Sequence, residues 1–150
     1  METLTHIPKT DLARRTRHVI RAVQQGQTVV VESHGEAEVA IMDILDYRLI
    51  KAVLRYYTRP LALDGSEGLA DEEIAQLETE QDKVDLVLAH YLAESISLGR
   101  AAELLGLPWL DLRTRLVRLN VPLRIGPANL DEARQEVANL DAFLTKGNAD

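Results

Sequence analysis

The chain has 150 residues, a formal net charge of −7, 46% hydrophobic residues and no cysteine. The length suits one medium domain or two small ones. The missing thiols exclude a disulfide framework and a Cys-based zinc site. One Trp and one Phe point to an aliphatic core. No stretch is long and apolar enough to span a bilayer, and no secretory leader is evident, so a cytoplasmic, soluble protein is expected. The acidity is not spread evenly. Residues 1–60 hold nine Lys/Arg against seven Asp/Glu, residues 61–97 one against ten, and residues 98–150 seven of each. The excess acid therefore sits in the middle, and both ends are locally free to meet phosphate.

In chain order, Glu2 to Ile7 reads as an edge strand, because Pro8 keeps Ile7 out of helical geometry. From Thr10, Leu12, Thr16, Val19 or Ile20, and Val23 recur at helical spacing, while Arg14, Arg15, Arg17 and Arg21 occupy the other faces. Thr10 and Asp11 predict the start of this helix, and Gln25-Gly26 its stop. Thr28 to Ser33 is β-branched and Gly-flanked, which marks a strand. Val39 to Met42 can pair back on it through a loop holding His34 and Gly35. Asp43 to Tyr57 is a helix with Leu45, Leu49, Ile50, Val53, Leu54 and Tyr57 on its stripe. So small a sheet with apolar helices implies a second copy to cover them.

This order of events resembles the Phd/YefM family of bacterial antitoxins over residues 1–58. The resemblance lies in Thr10-Asp11-Leu12, in GQTVVV (26–31), in Gly35 before an apolar strand, and in Asp46-Tyr47. It implies an α+β domain that dimerises and binds operator DNA. Under it, Arg14, Arg15 and Arg17 hold phosphates, and Thr10 and His34 approach base edges. The chain departs from the family pattern at Ala13, at Arg15-Thr16 and at Gly35-Glu36-Ala37, where many members carry Arg, Asn-Leu and Gly-Arg-Pro. The hairpin arginine is thus replaced by Glu36, and Arg15 and Arg17 are left to supply that contact.

Arg59-Pro60 ends the helix at Asp43 to Tyr57, and Leu61 to Leu69 is the expected boundary. Asp71 is the candidate cap of a short acidic helix with only Ile74 and Leu77 on its stripe. Two apolar residues are too few to hold it alone, so it either extends into the next helix or waits for a partner surface. Residues 59–83 are expected to be an acidic linker or a toxin-docking segment; the antitoxin resemblance implies that the toxin-binding portion lies here and is poorly ordered until bound. Ile74 and Leu77 would be its apolar anchors, and Glu73, Glu78 and Glu80 its contacts to a basic surface. Asp85 to Ile96 reads as an amphipathic helix. Ser97 then caps LGRAAELLG, Gly106-Leu107-Pro108 makes a tight turn, and WLDLRTRLVRLN forms another helix. Small residues and a turn Gly at these positions form the helix-turn-helix pattern. In that pattern Leu112, Leu116 and Leu119 face inward, while Thr114, Arg115 and Arg118 face out. Arg115 falls where the commonest DNA-binding version has an apolar residue. Residues 84–132 resemble a small bacterial helix-turn-helix family often encoded beside PIN-domain toxins. A weak amphipathic helix, Ala128 to Phe143, and a disordered tail, 145–150, complete the expected layout, with the helix-turn-helix domain at 84–144.

The four histidines show no metal-binding spacing, no Ser lies in a nucleophile elbow, and no Gly-rich loop carries a phosphate-binding Lys. No cofactor and no enzymatic activity are expected. The leading expectation is an antitoxin that represses its own operon as a homodimer or higher oligomer. Its partners would be operator DNA and a cognate toxin, with a PIN-domain ribonuclease as a candidate. The rival is a protein-interaction or regulator module without a toxin, whose helix-turn-helix is purely structural.

Overall fold

The computed structural model describes residues 4–59, 62–63, 68–124 and 130–147. Its secondary structure is mixed: a three-stranded sheet and, among the described residues, eight helices. None of these helices is long and apolar enough to cross a membrane. The chain forms two compact units, Met1–Ile50 and Lys51–Asp150, divided within the third helix.

In the first unit, β1 (Leu4–Pro8) is an edge strand and pairs parallel with the central β2 (Thr28–Ser33). Its antiparallel neighbour on the other side is β3 (Glu36–Ile41), which begins three residues before the expected strand start at Val39. The β2–β3 link is the two-residue turn His34-Gly35, with φ of 53° and 79°. Positive φ at both central residues is the requirement of the type I′ turn, whose twist matches that of the strands. A bulge after Val31 sets Glu32 opposite Ala37, so Glu38 has no cross-strand mate.

The expected single basic helix is two. α1 (Lys9–Leu12) is followed by a break at residues 13–15, and α2 (Thr16–Gln24) by Gly26. The Thr16 hydroxyl donates to the Leu12 and Ala13 carbonyls across that break. A side chain engaging the preceding turn in this way competes with regular backbone hydrogen bonding. α2 lies on β2. Ile7, Val19, Ala22, Val23 and Val29 form the core there, with Leu12 and Ile41 half-buried against it. α3 (Ile44–Thr58) begins where Asp43 Oδ1 accepts from the Leu45 and Asp46 amides. Leu49 and Ala52 are buried, but Leu54 and Tyr57 of the expected stripe are exposed.

In the second unit the acidic stretch contains α4 (Asp71–Ala75), and α5 (Glu80–Leu92) follows it. Ala70, not Asp71, caps α4, with its amide donating to the Glu73 carboxylate. The expected helix at 85–96 in fact starts at Glu80 and ends at Leu92. Thr79 Oγ1 accepts from the Asp82 amide at its start, and Glu94 takes a φ of 65° just past its end. This helix is not amphipathic in place: Val84, Asp85, Val87, Leu88, Ala89, His90 and Tyr91 are all buried. α6 (Leu98–Leu105) packs on it and α7 (Trp109–Arg118) packs on α6, with Leu98, Ala101, Ala102, Leu104, Leu112 and Leu116 buried. Ser97 Oγ accepts from the Arg100 amide, as its cap position predicts. Gly106, at φ 67°, turns the chain so that the Leu107 amide donates to the Ala102 carbonyl. α8 (Leu130–Gly147) runs past its expected end at Phe143, so residues 145–147 are helical rather than tail. Residues 148–150 lie outside the described set.

Candidate nucleic-acid interface

The parallel pairing of β1 with β2 brings Pro8 opposite Glu32, and α1 starts immediately after Pro8. The base of the β2–β3 hairpin and the start of α1 therefore share one end of the sheet. Pro8, Lys9, Thr10, Glu32, Ser33 and His34 line an open groove of about 500 Å³ there. Thr10 and His34, the two candidate base-edge contacts, are thus gathered in one place.

Lys9 Nζ lies 3.4 Å from Glu38, His6 Nδ1 contacts the Glu32 carboxylate, and Ser33 Oγ lies 3.2 Å from His34 Nδ1. Glu32, Glu36 and Glu38 make the hairpin side acidic. The cationic side is the helical one, where Arg14, Arg15, Arg17 and Arg21 are all exposed. No ion pair or side-chain hydrogen bond among the described residues engages these four guanidinium groups. Arg15 and Arg17 flank the start of α2, which has no acid in its first turn and no side-chain cap. Cations at a helix N-terminus oppose the macrodipole by about 0.3–1 kcal/mol each, while an anion there is favoured. Their position is thus unfavourable for the free fold and favourable for a bound phosphate.

The candidates on α7 fare differently. Arg115, expected to face out, lies back along its helix, its Nε 3.1 Å from Asp111 Oδ1 and its side chain only 16% exposed. Its place in the inward row of Leu112, Leu116 and Leu119 explains this: the aliphatic stem fills space a Leu would take. Thr114 is exposed, but its hydroxyl donates to the Leu110 carbonyl. Arg118 is half-buried and has a partner.

The acidic segment is tied down where it is described. Arg100 Nη2 donates to the Leu69 carbonyl and to Asp71 Oδ1, while Nη1 lies 3.1 Å from Glu103 Oε2. Burial alone would lower the Arg100 pKa, but the bonds and charges of Glu103 and Asp71 outweigh it and raise it. Leu69 and Asp71, at the start of α4, are therefore held to α6 through Arg100. Ile74 and Leu77 are half-buried, and Glu73, Glu78 and Glu80 are exposed.

Sequence reasoning missed one buried group, His90. Its Nδ1 lies 2.6 Å from Ser95 Oγ, which in turn donates to the His90 carbonyl. Burial lowers the His90 pKa, opposed in part by the charge of Glu73. No spacing rule links a helical His to a Ser past the helix end, so no sequence signal marked it. Among the described residues no group of three His, Cys, Asp or Glu side chains could hold a metal.

No protein-family model, no curated protein and no solved structure matches this chain.

Proposed function

We infer that the chain is a DNA-binding antitoxin that represses its own operon and neutralises a partner toxin by protein contact. The observation that carries this reading is the row of unengaged guanidinium groups, Arg14, Arg15, Arg17 and Arg21, beside a groove holding Thr10 and His34. Phosphate binding needs cations free to leave water for an anion, and these four have no competing carboxylate among the described residues. Arg15 and Arg17 hold phosphates at the start of α2, with Arg14 beside them. Thr10 and His34 approach base edges from the groove.

We read the order β1–α1–α2–β2–β3–α3 as Phd/YefM-like, and the domain as a dimer. Leu4, Ile20, Val39 and Tyr47 expose large apolar area in this unit, and β3 is exposed from Glu36 to Ala40. Such a surface on so small a unit is what a second copy covers. In the second unit, α6, the turn at Gly106 and α7 form a helix-turn-helix in a structural role. The exposed carboxylates Glu73, Glu78 and Glu80, with Ile74 and Leu77 beneath them, form the docking face for a basic toxin. Gel shift of the full chain on DNA from upstream of its own coding sequence, at two salt concentrations, tests the reading. Retardation that weakens with salt is expected; none at either salt overturns it.

A further inference from the structure

Helix α8 leaves its apolar stripe uncovered. Its polar residues Gln135, Glu136 and Asn139 line, with Ser97, Arg100 and Glu103, a cavity of about 320 Å³ beside α6. The approach is close: a Cβ on Gly99 would stand 3.4 Å from Glu136 Oε1. Its large apolar side chains are in water instead, with Val137, Leu140 and Leu144 each more than half exposed and Phe143 at 74%. A helix gains free energy by covering its apolar stripe, and on this one every residue from Arg134 to Leu144 is exposed.

The spacing of the stripe says what kind of surface fits it. Ala133, Val137, Leu140 and Leu144 follow one another at intervals of four, three and four. That is the 3.5-residue repeat of a two-helix seam. We propose that α8 pairs antiparallel with α8 of a second copy of this chain.

The flanking charges set the direction. With the two helices parallel, Glu136 would stand beside Asp141 of the second copy, like against like. Antiparallel, Val137 meets Leu140 and Ala133 meets Leu144, and Arg134 then stands beside Asp141 of the second copy. Twofold symmetry makes that favourable pair twice. Arg134 and Asp141 lie on the edge of the stripe away from Gln135 and Asn139, and Glu136 lies on the edge nearer α6. An 18-residue helix gives a short seam of modest strength, which any other contact between copies reinforces by raising the local concentration.

The chain has no cysteine, so single thiols can report the geometry in the full-length protein. Val137→Cys and Leu140→Cys are oxidised separately and as a mixture, with Ala142→Cys on the opposite face as control. Antiparallel pairing gives the mixed disulfide in excess over either homodisulfide. Sedimentation reads the same surface: Leu140→Glu lowers the average mass and Asp141→Arg weakens association. Adding Arg134→Asp to the latter restores it. Homodisulfides alone would contradict the direction. No cross-linking above the Ala142→Cys control, together with a mass unchanged by Leu140→Glu, would overturn the pairing. Loss of a different protein partner on Leu140→Glu, with the mass unchanged, would assign the stripe to that partner and equally overturn it.

Discussion

In the first unit, Arg14, Arg15, Arg17 and Arg21 stand in solvent and engage no carboxylate among the described residues. In the second unit, arginines are built into the fold. Arg55 Nη1 donates to the buried Asp85, Arg100 clamps Asp71 and Glu103, and Arg115 lies against Asp111. Arg124 Nη2 donates to the Tyr91 and Ile96 carbonyls, and its guanidinium sits 5.6 Å from the Tyr91 ring centroid. The same residue type thus does two jobs, and a count of positive charges cannot tell them apart. What separates them is whether an acid or carbonyl lies within reach once the chain has folded. A guanidinium already satisfied in this way would have to give up those bonds to take a phosphate.

Substitutions can break that contrast, and the largest effect falls on Arg100. It is mostly covered and bonded to one carbonyl and two carboxylates. Charged hydrogen bonds of this kind are worth more than neutral ones, but Asp71 and Glu103 are themselves well exposed, which reduces the gain. Arg100→Ala should cost about 1–2 kcal/mol in urea unfolding. It should also speed proteolysis around residues 70–80, because the clamp on α4 is gone.

A smaller effect should appear on acidification, through His90. Its folded-state pKa is lowered by burial, so the unfolded chain takes up the proton first. The stability contribution is complete above the ordinary value of about 6.5 and is lost as pH falls from there through the folded-state value. Urea midpoints measured across that range should decline on the acid side, and His90→Gln should lessen the decline. Arg115→Ala ranks lower still. It removes one i,i+4 pair and some stem packing, worth about 0.5 kcal/mol. Arg14, Arg15 and Arg17 changed to Ala should not destabilise the fold and should stabilise it by about 1 kcal/mol at low salt, because Arg15 and Arg17 oppose the α2 macrodipole and no partner among the described residues is lost.

Much of the first unit was legible in its sequence. Val-rich residues between two glycines marked β2 to the residue, and a His-Gly pair between two strands marked the hairpin turn. The break at residues 13–15 was not legible, because no Gly or Pro interrupts the helical spacing. It comes from Thr16 engaging the preceding turn. In the second unit, the turn at Gly106 and the cap at Ser97 stood where their residue types predict. The start of α5 had a signal that polarity obscured: Thr79, with Asp82 three residues later, is a helix cap followed by an acidic first turn. The inward row of α7 gave a warning about Arg115, which stood at an apolar position of the pattern. The groove joining Thr10 to His34 depends on β1 running parallel to β2, and strand direction cannot be read from local spacing.

The contrast between free and engaged arginines is tested most directly by the salt dependence of DNA binding. Log affinity against log salt is compared for the unaltered chain, for Arg14, Arg15 and Arg17 changed to Ala, and for Arg113, Arg115 and Arg118 changed to Ala. Each phosphate contact contributes a slope of about 0.9 on duplex DNA. The first set should flatten the line by roughly three contacts' worth and weaken binding to every sequence, while the second should leave the slope where it was. A slope unchanged by the first set, or flattened equally by the second, would contradict the account.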